Sequence, residues 1–200
     1  MKKIFLLLFI SFVFNFSFGQ SEWYHFSEEF YFVKEVPVNI FHGKNFRFEI
    51  AVKGKPADSL SKVRIHGISL GKGEDDYLNS DFKVESRTEQ DWTIYTIMGK
   101  VDPKAARLWF YSAVNGNGDF YFDDVNFYIE EAPRRWKQLL LFNPSFEEKN
   151  PDIFYGYFVS RRRSPNLKTQ LSKEISKTGK QSLWVKTYRV QPVKQIAKSQ

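Results

Sequence analysis

Phe120-Tyr-Phe-Asp-Asp-Val-Asn-Phe-Tyr-Ile-Glu130 places Val125, Phe127 and Ile129 at alternate positions, the period of a strand with one buried face. Arg107–Val114 lies just before it, joined through Asn115-Gly-Asn-Gly-Asp119. Asparagine and glycine in that density read as a tight turn, and the two strands as a hairpin. Any two-residue loop centred on 115–116, 116–117 or 117–118 pairs even positions before the turn with odd positions after it. Leu108 and Phe110 then share a core face with Val125, Phe127 and Ile129. The opposite face carries Trp109, Tyr111, Phe120, Phe122 and Asp124. A three-residue loop would reverse the assignment, because a slip of one residue flips every side chain.

The same period runs outward along the chain. Phe46, Phe48, Ile50 and Val52 alternate with Arg47, Glu49, Ala51 and Lys53. Phe30 to Ile40 nearly repeats the pattern, with Phe30, Phe32, Val36, Val38 and Ile40 on one side, and Pro37 marks it as an edge strand. Lys62–Leu70, Phe82–Ser86 and Trp92–Met98 are further strands, separated by Gly54-Lys-Pro, Gly71-Lys-Gly and Asp102-Pro turns. No helical period of ten or more residues stands out. Short strands punctuated by turns predict an all-β protein, an antiparallel β-sandwich, followed by a partial second β unit.

Lys2 and Lys3 precede an apolar run from Ile4 to Phe14 interrupted by Ser11, and Ser17-Phe18-Gly19 supplies small residues at a cleavage site. Residues 1–19 therefore read as an export signal. The run is shorter than the ~20 residues a spanning helix needs, so no membrane span is expected after cleavage. The mature chain is expected in the periplasm, at the cell surface or outside the cell. The chain has no cysteine, which excludes disulfides, thiolate metal sites and lipid attachment through cysteine.

The formal charge of +7 is unevenly spread. Residues 20–132 hold 13 Lys+Arg against 19 Asp+Glu, and residues 133–200 hold 15 against 4. A basic total points to nucleic acid, but the leader and the acidic main unit argue against that partner. The basic segment is either ordinary solvated surface or a tail resting on the acidic unit. The division is a β-sandwich module over 20–132, a linker over 133–140, and a partial second module, or completing strands of the first, over 141–200.

Trp109 and Tyr111, with Phe122 and Asp124 on the same predicted face, form the candidate ligand site. Flat rings stack on the apolar faces of pyranoses, and a carboxylate accepts hydrogen bonds from sugar hydroxyls. Burial of both faces is the competing reading. Asn115-Gly-Asn-Gly-Asp119 spaces oxygen side chains like the start of a calcium loop, but Phe120 and Asn126 stand where Gly and Glu are required. Glu74-Asp75-Asp76 lacks ligand spacing and reads as a solvated loop. His25, His42 and His66 show no metal or catalytic spacing, and no nucleophile or phosphate-binding motif is present. The chain is expected not to be an enzyme.

The ending Phe122-Asp-Asp-Val125 and the opening Asn143-Pro-Ser-Phe-Glu147 resemble the two ends of galactose-binding-like jelly-roll carbohydrate-binding modules. Gly43-Lys-Asn-Phe46 with Val52-Lys53, Trp92-x-x-Tyr95 and Thr178-Gly-Lys-Gln-Ser-Leu-Trp-Val185 extend the resemblance. It implies a two-sheet jelly roll, a ligand groove on the concave sheet or at the loops, and a structural calcium near the module ends. The candidate calcium ligands are Asp123 and Asp124. Similar modules stand in front of secreted bacterial hydrolases. The family's opening lies after its ending in this chain. It is either a slightly short module followed by a truncated second one, or a circularly permuted single module completed by 141–191. The resulting expectation is an exported accessory module that binds a polysaccharide or other glycan, or alternatively a protein-interaction domain attached to or docking on a secreted hydrolase.

Overall fold

Alternating residues become strands where one side finds a partner surface to bury against. The computed structural model describes residues 23–26, 28–73, 76–148, 152–160 and 164–195; the leader over 1–19, Glu74 and Asp75, and the Arg161-Arg-Arg163 loop lie outside the described residues. Among the described residues there is no helix. The strands run β1 (Trp23–Phe26), β2 (Glu29–Pro37), β3 (Asn45–Pro56), β4 (Lys62–Leu70), β5 (Tyr77–Asn79), β6 (Lys83–Glu89) and β7 (Trp92–Lys100). They continue with β8 (Arg107–Asn115), β9 (Gly118–Ala132), β10 (Arg135–Leu139), β11 (Phe158–Val159), β12 (Leu167–Ser172), β13 (Ser182–Thr187) and β14 (Pro192–Gln195).

Two antiparallel sheets make a β-sandwich. One is ordered β12-β13-β9-β3-β7-β6, with β10 also on β9; the other is β11-β2-β8-β4-β5, and β1 pairs with β14 apart from both. Phe46, Phe48, Ile50 and Val52 of β3 face Phe110 of β8 across the interior, together with Val125, Phe127 and Ile129 of β9, and all are buried. Phe48 and Phe110 stack across the two sheets at 4.0 Å between ring centroids and 5° between planes. Ile40, placed with this core by its parity, lies beyond the end of β2 and is 76% exposed.

The turn at 115–119 does not close a hairpin. β8 pairs with β2 and β4, whereas β9 pairs with β3, β13 and β10, so the segment crosses from one sheet to the other. Phe110 and Phe127 thereby meet across the core, with ring centroids 5.8 Å apart and both rings buried. Gly118, at φ 148°, makes the crossing possible, because a Cβ there would lie 2.6 Å from the Lys55 carbonyl oxygen.

The described residues of 141–191 are built into the same sandwich. β13 lies beside the first half of β9 and β10 beside the second half, on the edge of β9 away from β3. β11 pairs with β2. Phe146, Phe154, Tyr157, Leu183 and Val185 join the common core. Arg135–Leu139, assigned above to a linker, is strand β10, because its backbone satisfies the edge of β9 that β13 leaves open. Lys34, which points into the interior from β2 and is 3% exposed, holds this segment in place. Its ammonium donates to the carbonyl oxygens of Phe142 and Gly156 and lies 4.2 Å from the centre of the Tyr157 ring. Burial pulls the Lys34 ammonium down to about 8, opposed by Glu148.

Candidate functional site

Because Leu108 and Phe110 of β8 point inward, Trp109 and Tyr111 must point out of the five-stranded sheet. Their neighbours are set by register. Glu35 of β2 and Ile68 of β4 flank Trp109, while Val33 and His66 flank Tyr111. β11 brings Phe158 opposite Val33. One band of rings results, from Phe158 through Trp109 (5.9 Å) and Tyr111 (6.2 Å) to Tyr31 (5.6 Å from Tyr111). His66 lies flat on Tyr111 at 4.6 Å and 8°. Trp109 and Tyr111 are half-buried, and Phe158 is 56% exposed.

Polar groups fix the rings. The Trp109 indole N–H donates to Glu35 Oε2 at 2.6 Å. The Arg107 guanidinium lies 3.7 Å from the same carboxylate and 5.8 Å from the Trp109 ring centre. Burial, then the neighbouring Tyr77 and Tyr31, raises the Tyr111 hydroxyl above the usual tyrosine range. Burial and then the Arg64 guanidinium lower His66, against an opposing pull from Glu29. Both groups are therefore held in their uncharged forms near neutral pH. The face offers flat neutral rings bordered by hydrogen-bonding groups, which is chemistry for stacking and hydrogen bonding to a polyhydroxylated ligand.

Of the four residues placed on one ligand face above, the structure brings Trp109 and Tyr111 together and separates Phe122 and Asp124 from them. Phe122 is fully buried, 5.0 Å from Phe32 in an edge-to-face pair. One cause is the crossing that puts β8 and β9 in opposite sheets, and the other is a bulge in β9. Between the Glu49↔Asn126 and Ala51↔Asp123 pairs, two steps of β3 span three of β9, and Asp124 takes φ 49°. The extra residue reverses the parity of everything before it, so Phe120 and Phe122 point inward along with Val125, Phe127 and Ile129.

Asp123 and Asp124, the candidate calcium ligands, form a clamp. Asp123 is fully buried and accepts from the backbone N–H groups of Asp124 (2.8 Å), Lys177 (2.8 Å) and Thr178 (3.2 Å). Burial, the largest influence, pushes its carboxyl up to about 6 against these bonds. Asp124 accepts from the hydroxyls of Ser145 and Thr178, and the Lys177 ammonium is 3.6 Å from its second oxygen. Calcium asks for about six to eight oxygen ligands, whereas here N–H donors and an ammonium surround the carboxylates. The arrangement does not fit the ion, and among the described residues no three His, Asp or Glu side chains are grouped to hold a metal. The neighbouring motif closes the same end of the sandwich. The Pro144 carbonyl accepts from Val125 N–H, Phe146 enters the core, and Glu147 accepts from the N–H groups of Lys180 and Gln181.

Tyr31, Glu35, His66 and Phe158 complete the ring band and were not singled out from the sequence. Tyr31 and Glu35 carried a usable signal, since both fall on the polar side of the Phe30–Ile40 alternation. His66 and Phe158 reach the band only through pairing with distant strands. Comparison with protein-family models, with curated proteins and with solved structures finds no match.

Proposed function

We propose that this protein is an exported, non-catalytic module that binds a neutral glycan across the outer face of its five-stranded sheet. The observation carrying this reading is the continuous band Phe158–Trp109–Tyr111–Tyr31, solvent-facing and bordered by Glu35 and His66. Four successive rings present a surface long enough for several sugar units of a polysaccharide. The resemblance of the Asp123-Asp124 and Asn143–Glu147 segments to carbohydrate-binding modules supports the same class. Binding is favoured over catalysis because Glu35 is engaged by Trp109 and Arg107, and His66 is engaged face-on by Tyr111.

A glycan array followed by affinity electrophoresis on the neutral polysaccharides it selects tests the proposal. Trp109→Ala and Tyr111→Ala should each weaken retention about tenfold or more, since the loss of one stacked ring removes both contact area and its geometry, with the unfolding transition still cooperative. Unchanged retention in both variants would refute the assignment. A protein-docking face is the second reading. It is favoured by the exposed apolar side chains Leu140, Phe142 and Tyr155, the last two with rings 6.5 Å apart and Tyr155 three residues before β11. An empty glycan array would favour it.

A further inference from the structure

The outer face of the seven-stranded sheet carries a second group of rings in a different electrical setting. Register places Gln170, Trp184, Tyr121 and Lys53 in one row across β12, β13, β9 and β3. Lys168, Lys186, Asp119 and Lys55 form the adjacent row. The Trp184 and Tyr121 rings lie nearly parallel, 6.4 Å apart and 16° between planes. The Lys168 and Lys186 ammoniums lie 5.2 Å and 5.9 Å from the Trp184 ring centre. A groove runs beside the rings, walled by Gln170, Ser172, Lys173 and Glu174.

We propose that this groove, together with the adjoining lysine row, binds an acidic polysaccharide carrying one carboxylate per sugar, a polyuronate. Lys168 and Lys186 stand directly opposite each other on neighbouring antiparallel strands, a placement that destabilises a sheet unless the charges are neutralised. Asp119 meets only part of this charge, since it lies 3.6 Å from Lys186 and also accepts the Trp184 indole N–H at 2.9 Å. Among the described residues, neither Lys168 nor Lys55 has a carboxylate within ion-pair distance, and both are exposed. An anion lying across the row neutralises the lysines, while Trp184 and Tyr121 supply the faces on which sugar rings stack. Asp119 stands in the lysine row and Glu174 lines the groove, so one charge per sugar suits the surface better than a densely sulfated chain. The inference concerns a different sheet from the neutral-glycan face, so either assignment can fail alone.

Affinity electrophoresis in gels containing sodium polygalacturonate, with hydroxyethyl cellulose gels as the neutral comparison, tests it on the full mature chain. Lys168→Glu should weaken polygalacturonate retention at least about tenfold. Lys83→Glu, the same charge change on the exposed edge strand β6, should alter it less than about twofold. Trp184→Ala should follow Lys168→Glu; if that variant loosens β13, Lys168→Glu decides alone, because its side chain lies outside the core. Retention should fall steeply as salt rises, since exposed charges are screened over about 8–10 Å near physiological ionic strength. Equal losses from Lys168→Glu and Lys83→Glu would reduce the effect to net charge and overturn the proposal. Absence of retention, or retention abolished by Trp109→Ala and untouched by Lys168→Glu, would overturn it as well. Stronger retention on a sulfated polysaccharide than on polygalacturonate would overturn the choice of ligand.

Discussion

The two outer faces of the sandwich arise from the same strand alternation, yet they differ in what stands beside the rings. On the five-stranded sheet, Trp109, Tyr111, Tyr31 and Phe158 touch one another, and His66 extends the band as an uncharged ring. On the seven-stranded sheet, Trp184 and Tyr121 are flanked by Lys168, Lys186 and Lys53. Aromatic side chains alone therefore do not define a binding class. The neighbours supplied by cross-strand register decide whether a ring surface suits neutral or charged partners. The basic segment beyond residue 133 enters this contrast directly, because β12 and β13 bring Lys168 and Lys186 to a sheet whose β9 contributes Asp119.

The largest expected effect tests whether the two faces share one foundation. Phe48→Ala removes the ring stacked on Phe110 between the sheets and should cost about 3–5 kcal/mol, with both proposed binding activities lost in a single unfolding transition. An unchanged denaturation midpoint would show that the faces do not rest on a common core.

Lys34→Met should come next. It removes two part-buried hydrogen bonds from a charged donor to the carbonyls of Phe142 and Gly156, a loss of about 1–3 kcal/mol. The same residue gives a pH signature. Its folded pKa lies near 8, below the usual 10.5, so between these values the unfolded chain binds more protons than the folded one. Its contribution to stability must then rise with pH from 8 to 10.5. Denaturant titrations of the native protein should show that rise, and Lys34→Met should lack it.

Salt sharpens the contrast between the faces. Raising NaCl from low to near-molar concentration should change neutral-glycan retention by less than about twofold while nearly abolishing polygalacturonate retention, since screening weakens exposed charges and leaves ring stacking intact. Equal salt sensitivity at the two faces would remove the distinction. The smallest effect belongs to the rim of the first face, where Arg64 pairs with Glu29 at 2.5 Å. Arg64→Ala should shift stability by only about 0–1 kcal/mol, as exposed pairs do, and calorimetry should resolve little change in melting temperature.

Much of the interior was legible from residue order. The alternation over Phe46–Lys53 identified the buried side of β3, and Phe110, Val125, Phe127 and Ile129 are buried as that pattern requires. Trp109 and Tyr111 were legible as an outward face for the same reason. The glycine-rich turn misled because a loop that bends the chain within a sheet and one that crosses between sheets use the same residues. Phe120-Tyr-Phe-Asp-Asp-Val concealed the bulge, since aromatic side chains occupy both parities there and nothing local marks the extra residue. Phe122 and Asp124 were misplaced both by the crossing of β8 and β9 into opposite sheets and by that single step.

The sequence by itself determined that the chain forms strands and which side of most strands is apolar, because side-chain direction alternates over two residues and needs only local information. Only the tertiary structure decided that β8 and β9 belong to opposite sheets, that the described residues of 141–191 share one sandwich with β2 to β9, and that Lys34 anchors them. It also decided that His66 and Phe158 join Trp109 and Tyr111, and that Lys168 and Lys186 meet beside Trp184. These are choices among distant pairings, settled by which arrangement buries the most apolar surface while leaving each backbone edge a partner.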